Sequence, residues 1–109
     1  MALKHAQLLD VIDLHETDAE HSGAFSRSLL KSDHLQLMQL VLADGEQLPE
    51  HAVASEITIQ CLTGSVSVVM PRRTCELSAG QLIALPAGAR HAIHAQSNAT
   101  LLVTLLRNV

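Results

Sequence analysis

Between Ile57 and Met70 the side chains alternate in polarity every second residue, and the alternation restarts after a glycine. Ile57, Ile59 and Cys61 share one face, with Thr58 and Gln60 on the other. Beyond Thr63-Gly64, Val66, Val68 and Met70 alternate against Ser65, Ser67 and Val69. Such a period places successive side chains on opposite faces of a strand, whereas a helix would scatter them at about 3.6 residues per turn. The stretch therefore reads as two half-buried strands, with the intervening glycine as the turn of a hairpin.

Further turn signals divide the rest of the chain. Pro71-Arg72-Arg73 reverses it toward Cys75 and Leu77, Ser78-Ala79-Gly80 turns it into residues 82–85, and Pro86-Ala87-Gly88 turns it again. With residues 25–30, 35–42, 91–96 and 100–107 added, the count reaches eight short strands. Short strands at this spacing predict an all-β, antiparallel sandwich or barrel. Helix is expected only over residues 2–9, where good formers run together. At 109 residues the chain makes one domain with one core.

Pairing these strands outward from their turns sets Ile59 opposite Val68, and Val68 opposite Cys75. Cys61 and Cys75 then face one interior from two strands apart. Strand spacing puts their α carbons about 10 Å from each other, beyond disulfide reach, so both are expected as buried thiols.

Two strands break the half-buried pattern. Residues 35–42 carry Leu35, Leu37 and Val41 on one face and Met38, Leu40 and Leu42 on the other, and residues 100–106 are likewise apolar on both sides. Strands of this kind need cover on both faces. Either the N-terminal segment or a second subunit supplies it. A homodimer is the favoured expectation, because a twofold partner covers several strands at once.

Charge separates the N-terminal segment from the rest. Residues 1–24 hold five acids against Lys4, which accounts for the whole net charge of −4; the remaining six acids and six bases cancel. This acidic lead-in, with His5, His15 and His21, is expected as a solvated surface. No basic stripe exists, and Phe25 is the sole aromatic residue among Phe, Trp and Tyr, so nucleic-acid binding is not expected. Apolar runs are too short for a membrane helix, and the first residues lack a signal-peptide layout, so a cytoplasmic location is the default expectation.

Two stretches carry a resemblance. Gly45, His51 and Gly64 stand at the spacing of the first cupin motif, and Gly80, Pro86, Gly88 and His91 at that of the second. The match spans residues 45–95, about half of the chain, and resembles a small single-domain bacterial cupin. The resemblance implies the cupin double-stranded β-helix, an antiparallel jelly-roll barrel, often homodimeric, whose inner face holds a metal through histidines and a glutamate.

This chain departs from that pattern where the chemistry lies. Val53 stands where the motif has its second histidine, Ile57 where it has its glutamate, and Ala95 in place of the asparagine. His51 and His91 remain. Aliphatic side chains offer no lone pair, and two protein ligands leave a divalent metal dependent on water or substrate. A weak site for iron, manganese, nickel or zinc is expected, with Glu56 as a third ligand if a bulge turns it inward. His94, alternating with His91, is expected to face the other way.

The expected pocket is lined by Met38, His51, Val53, Ile57, Ile59, Cys61 and His91, with Cys61 also weighed as a soft ligand beside His51. It suits a small, largely apolar molecule with one acceptor or acid group. Without Trp or Tyr it lacks the stacking face that sugars use. Three functions follow: a small-molecule-binding cupin with a partly lost metal site, a metal-dependent oxygenase or isomerase with an open two-histidine site, and a structural or interaction module. The first fits most of these residues.

Overall fold

Nine strands account for the structure, a computed structural model that describes residues 5–14 and 25–107. They are β1 (Phe25–Lys31), β2 (Leu35–Leu42), β3 (Gln47–His51), β4 (Ile57–Thr63), β5 (Ser65–Val69), β6 (Thr74–Ser78), β7 (Leu82–Leu85), β8 (His91–Ala95) and β9 (Ala99–Leu106). A five-stranded sheet in the order β1-β2-β9-β4-β7 faces a four-stranded sheet in the order β3-β8-β5-β6, and all strand pairs are antiparallel. This is the jelly-roll architecture. From β2 onward the chain crosses between sheets at every turn except the Pro71–Arg73 reversal that joins β5 to β6.

The Thr63-Gly64 turn is therefore a corner rather than a hairpin. Ile59 pairs with Ile83 and Val103 in the five-stranded sheet, not with Val68, although Val68 does pair with Cys75. Both cysteines are free, and they lie in different sheets. The corner is forced by a close approach. Gly64 has a φ of +76°, and a Cβ there would stand 2.1 Å from the carbonyl oxygen of Asn98 and 2.9 Å from the Ala99 backbone. Only glycine lets the two turns stack in this way.

The turn at residues 96–98 ties the other corners to this one. Asn98 Oδ1 accepts from the Asp44 amide at 2.8 Å, Ser97 Oγ accepts from the Ser65 amide at 3.1 Å, and the Ser65 carbonyl accepts from the Gln96 amide at 2.9 Å. Three sheet crossings thus close one end of the barrel. Beneath them Leu42, Cys61, Val66, Ala95, Ala99 and Leu101 pack fully buried. Further along the same strands Met38, Leu40 and Leu105 are only partly buried, as is Val53 in the β3–β4 connection. One half of the barrel is filled and the other is not.

Strand β3 lies outside the sequence expectation because it shows no alternation: Gln47, Pro49, Glu50 and His51 are all exposed. Pro49 cannot donate to a ladder, and β3 forms the edge of its sheet, where proline is tolerated. The helix expected over residues 2–9 is not formed at residues 5–9, the part that is described. Ala6 instead makes a parallel bridge to Leu30, and the Asp10 carboxylate accepts from the Gln7 amide at 2.8 Å. Eight residues are too few to hold a helix without tertiary support. This segment reaches the outer face of the five-stranded sheet, where the buried Gln39 amide donates to the Leu14 carbonyl at 3.5 Å. His15 and His21 lie outside the described residues.

The Gly64 corner gives a direct test. Gly64→Ala should destabilise the fold by more than about 3 kcal/mol, since backbone atoms must move to admit the methyl group. Gly80→Ala has a similar φ but open space around it, and should cost only about 1–2 kcal/mol. Urea unfolding of the two variants checks the ranking.

Candidate ligand-binding site

The unfilled half of the barrel encloses a cavity of about 220 Å³, lined by Ser26, Met38, Leu40, Leu48, His51, Val53, Ile57, Ile59, His91, Ile93, Val103 and Leu105. Ser26, on β1, and the two histidines are its polar side chains; no carboxylate, lysine or arginine lines it. Six of the seven pocket residues expected from sequence converge here. Cys61 does not. It lies one inward position further along β4, in the filled half, where its Sγ donates to the carbonyls of Thr63 and Gly64 at 3.4 Å each.

Two larger concavities, of about 480 and 650 Å³, lie between residues 5–13 and the β1 edge. They are shallow and open. Neither contains a residue of the histidine pair.

His51 and His91 meet through an irregularity in the β3–β8 ladder. Gln47 pairs with His94 and Leu48 with Ile93, but the register then slips by one residue, and His51 rather than Glu50 stands opposite His91. A bulge adds one residue to one strand and re-aims the next side chain. Here it lies beside Pro49, on the edge strand of the sheet. The two rings end with centroids 4.4 Å apart and planes tilted by 55°. His91 is buried and His51 is exposed at the mouth.

Hydrogen bonds set the tautomer of both rings. His91 Nδ1 lies 3.0 Å from the Ala89 carbonyl oxygen, and His51 Nδ1 lies 3.3 Å from the Pro49 carbonyl oxygen. A carbonyl can only accept, so each Nδ1 carries the proton and each neutral ring keeps its lone pair on Nε2. Neither Nε2 has a partner among the described residues, and no buried side-chain polar atom there lacks one. The Nε2 of His91 therefore opens onto the cavity. These neutral rings accept, so a donor fits them, and of the acceptor or acid group expected from sequence only the acid's O–H meets that need.

The metal ligand set is incomplete. Val53 and Ile57 line the cavity at the positions where the cupin motifs carry ligands, and Glu56 is exposed and outside the lining. No group of three or more histidine, cysteine, aspartate or glutamate side chains among the described residues is placed to hold a metal. Two imidazoles fill half of a tetrahedral shell. The residues present do not fit a resident metal ion. Near the mouth, Arg90 Nε and Glu50 Oε1 lie 3.3 Å apart on exposed side chains, and a solvated pair of this kind contributes little. His94 is half-buried, pairs with Gln47 and Ser67, and stays out of the cavity.

Sequence reading missed Ser26, Leu40, Leu48, Ile93, Val103 and Leu105. Alternation from Met38, His91 and Leu101 would have supplied Leu40, Ile93, Val103 and Leu105. Leu48 sits on the strand that showed no periodicity, and nothing in the sequence marks Ser26.

No protein-family model matches the chain, and no curated protein matches it in sequence. Solved structures do match. A cupin superfamily protein from Desulfitobacterium hafniense superposes with a TM-score of 0.81 at 22% identity, covering 99% of this chain and 100% of its own. A conserved protein of unknown function from Streptococcus pyogenes gives 0.77 at 21% identity, covering 100% and 99%. The DMSP lyase from Ruegeria pomeroyi gives 0.72 at 21% identity, with 79% of this chain covering 47% of the lyase. The chain has the cupin fold. No helix of the described residues is long and apolar enough to cross a membrane.

Burial of Cys61 has a measurable consequence. Desolvation pushes its thiol pKa up, so the folded state keeps the proton where the unfolded chain has already lost it. The resulting stability is fully present below the unfolded value, about pH 8.5, and is lost as pH rises through the folded value. Urea-derived stability should hold up to about pH 8.5 and fall above it in the parent, and fall less in Cys61→Ala. Equal slopes would show that Cys61 is not the group responsible; tyrosine cannot confuse the result, since the chain has none.

Proposed function

We propose that the chain binds a small, largely apolar molecule in the hollow half of its barrel, with His51 and His91 as polar anchors and without a resident metal. One observation carries the reading. Four positions that the cupin motifs use for ligands converge on a single cavity, and two of them present aliphatic side chains. An aliphatic wall with a few convergent polar groups is the general form of a small-molecule site.

The alternative is a metal-dependent enzyme, and thermal melts with and without nickel or manganese separate the two. The parent should gain little from either metal. Val53→His together with Ile57→Glu adds two ligands to two already in place, and should gain several kcal/mol from metal, as added ligands do at preformed sites. Its apo form should lose roughly 1–3 kcal/mol for each buried polar group introduced. A parent that gains as much as the variant would sink the metal-free reading. In parallel, xenon should shift the methyl resonances of Met38, Ile59 and Val103 and leave those of Leu42 and Val66 unmoved.

A homodimer is proposed as the working unit. The outer positions of β2, β9, β4 and β7, including Leu37, Gln39, Leu102, Thr104, Gln60 and Leu82, carry no formal charge. Leu82 and Leu106 are about half exposed there, at 56% and 49%. The described N-terminal residues reach this face at Gln39. Arg27 of the neighbouring β1 is turned to Gln39, its Nε donating to Oε1 at 2.8 Å, and the uncharged surface of these four strands is complementary to its own copy. Sedimentation at micromolar concentration should give twice the chain mass of 11.7 kDa, and Leu106→Glu should return it to the monomer; a monomeric parent would rule the dimer out.

A further inference from the structure

We infer that the cavity recognises a neutral head group bearing two N–H donors, a primary carboxamide on a compact aliphatic body. The inference rests on the cavity reading above and adds the chemical class of the ligand. Both histidines spend their Nδ1 protons on backbone carbonyls two residues earlier in the chain, at Ala89 and Pro49. Two ring nitrogens are left, both with lone pairs, on rings whose centroids are 4.4 Å apart. Neither can donate to the other in this tautomer. A ligand that satisfies both brings two donors on one atom, which the amide nitrogen does.

Charge narrows the class. An ammonium group also carries several donors, but no carboxylate lines the cavity to balance it, and burying an unpaired cation is costly. A carboxylate meets two lone pairs, with no lysine or arginine in the lining to offset it. The nearest charged side chains in sequence, Glu50 and Arg90, face each other at the exposed rim, and Glu56 is exposed outside the lining. The facing sheet contributes Ser26, whose hydroxyl can donate to the amide carbonyl; the other lining side chains from that sheet are apolar.

Volume limits the body. A cavity of about 150 Å³ accepts benzene, so the 220 Å³ here accommodates about nine non-hydrogen atoms on the same scale. Cyclohexanecarboxamide has that size. The amide, cyclohexanecarboxylate and aminomethylcyclohexane share a body and differ in the head group.

Titration calorimetry of the full chain with these three compounds tests the assignment. The amide should bind at least about tenfold tighter than either of the others, the discrimination expected of a site built around hydrogen bonds. In nitrogen-15 spectra of the imidazoles, both Nε2 signals should move on adding the amide while both Nδ1 signals stay. His51→Leu and His91→Leu should each reduce the preference to less than about threefold; if either fails to fold, the imidazole spectra of the parent decide the matter. Tighter binding of the carboxylate or the amine, or a preference that survives both substitutions, overturns the head-group assignment. If none of the three binds while xenon still enters, the amide class is wrong and the cavity reading stands. If xenon is excluded as well, both fall.

Discussion

The contact between Gly64 and the Asn98–Ala99 backbone sets the rest of this barrel. It stacks the β4–β5 corner on the β8–β9 corner so tightly that a single methyl group does not fit. The side chains of Ser97 and Asn98 and the Gln96 amide then tie the neighbouring crossings to the same point. With one end closed in this way, the inward residues nearest to it pack without gaps. The inward residues of the same strands further from it, on β2, β4, β8 and β9, line a space that no protein side chain fills. The cavity is therefore a consequence of where the barrel is tied, and its position along the axis follows from that knot.

A second constraint decides what the cavity presents. The β3–β8 ladder is regular at Gln47 and Leu48 and slips by one residue before His51. Regular pairing would bring Glu50 opposite His91. The slip substitutes His51, so that two imidazoles, rather than an imidazole and a carboxylate, stand across from each other. Each ring is oriented by a backbone carbonyl two residues earlier in its own chain. The site's polarity is thus written by the backbone, and the remaining lining is aliphatic apart from Ser26.

The fold is shared with cupins whose chemistry differs from one to another, and fold alone does not select among them. Val53 and Ile57 set the character of the cavity wall at two of the motif positions. Placed where lone pairs are needed to close a coordination shell, they supply apolar surface instead and make the cavity a poorer place for a cation. The same exchange makes it a better place for a hydrocarbon body, since the walls gain by excluding water.

Sequence by itself determined the all-β class, the boundaries of most strands, the inward face of the half-buried ones, and the two histidines with their aliphatic neighbours at motif spacing. These follow from period-two polarity and from glycine and proline, which act within a few residues. It misread Gly64 as a hairpin turn, because a positive-φ glycine serves a hairpin and a sheet-to-sheet corner equally well; the neighbour that distinguishes them, Asn98, is remote in sequence. It did not show β3, whose side chains are exposed and whose proline belongs to an edge that only the assembled sheet defines. It put Cys61 in the pocket since alternation gives the face of a residue but not its depth along the barrel axis. Depth and the slip that pairs His51 with His91 are properties of contacts between distant segments, and only the tertiary structure decided them.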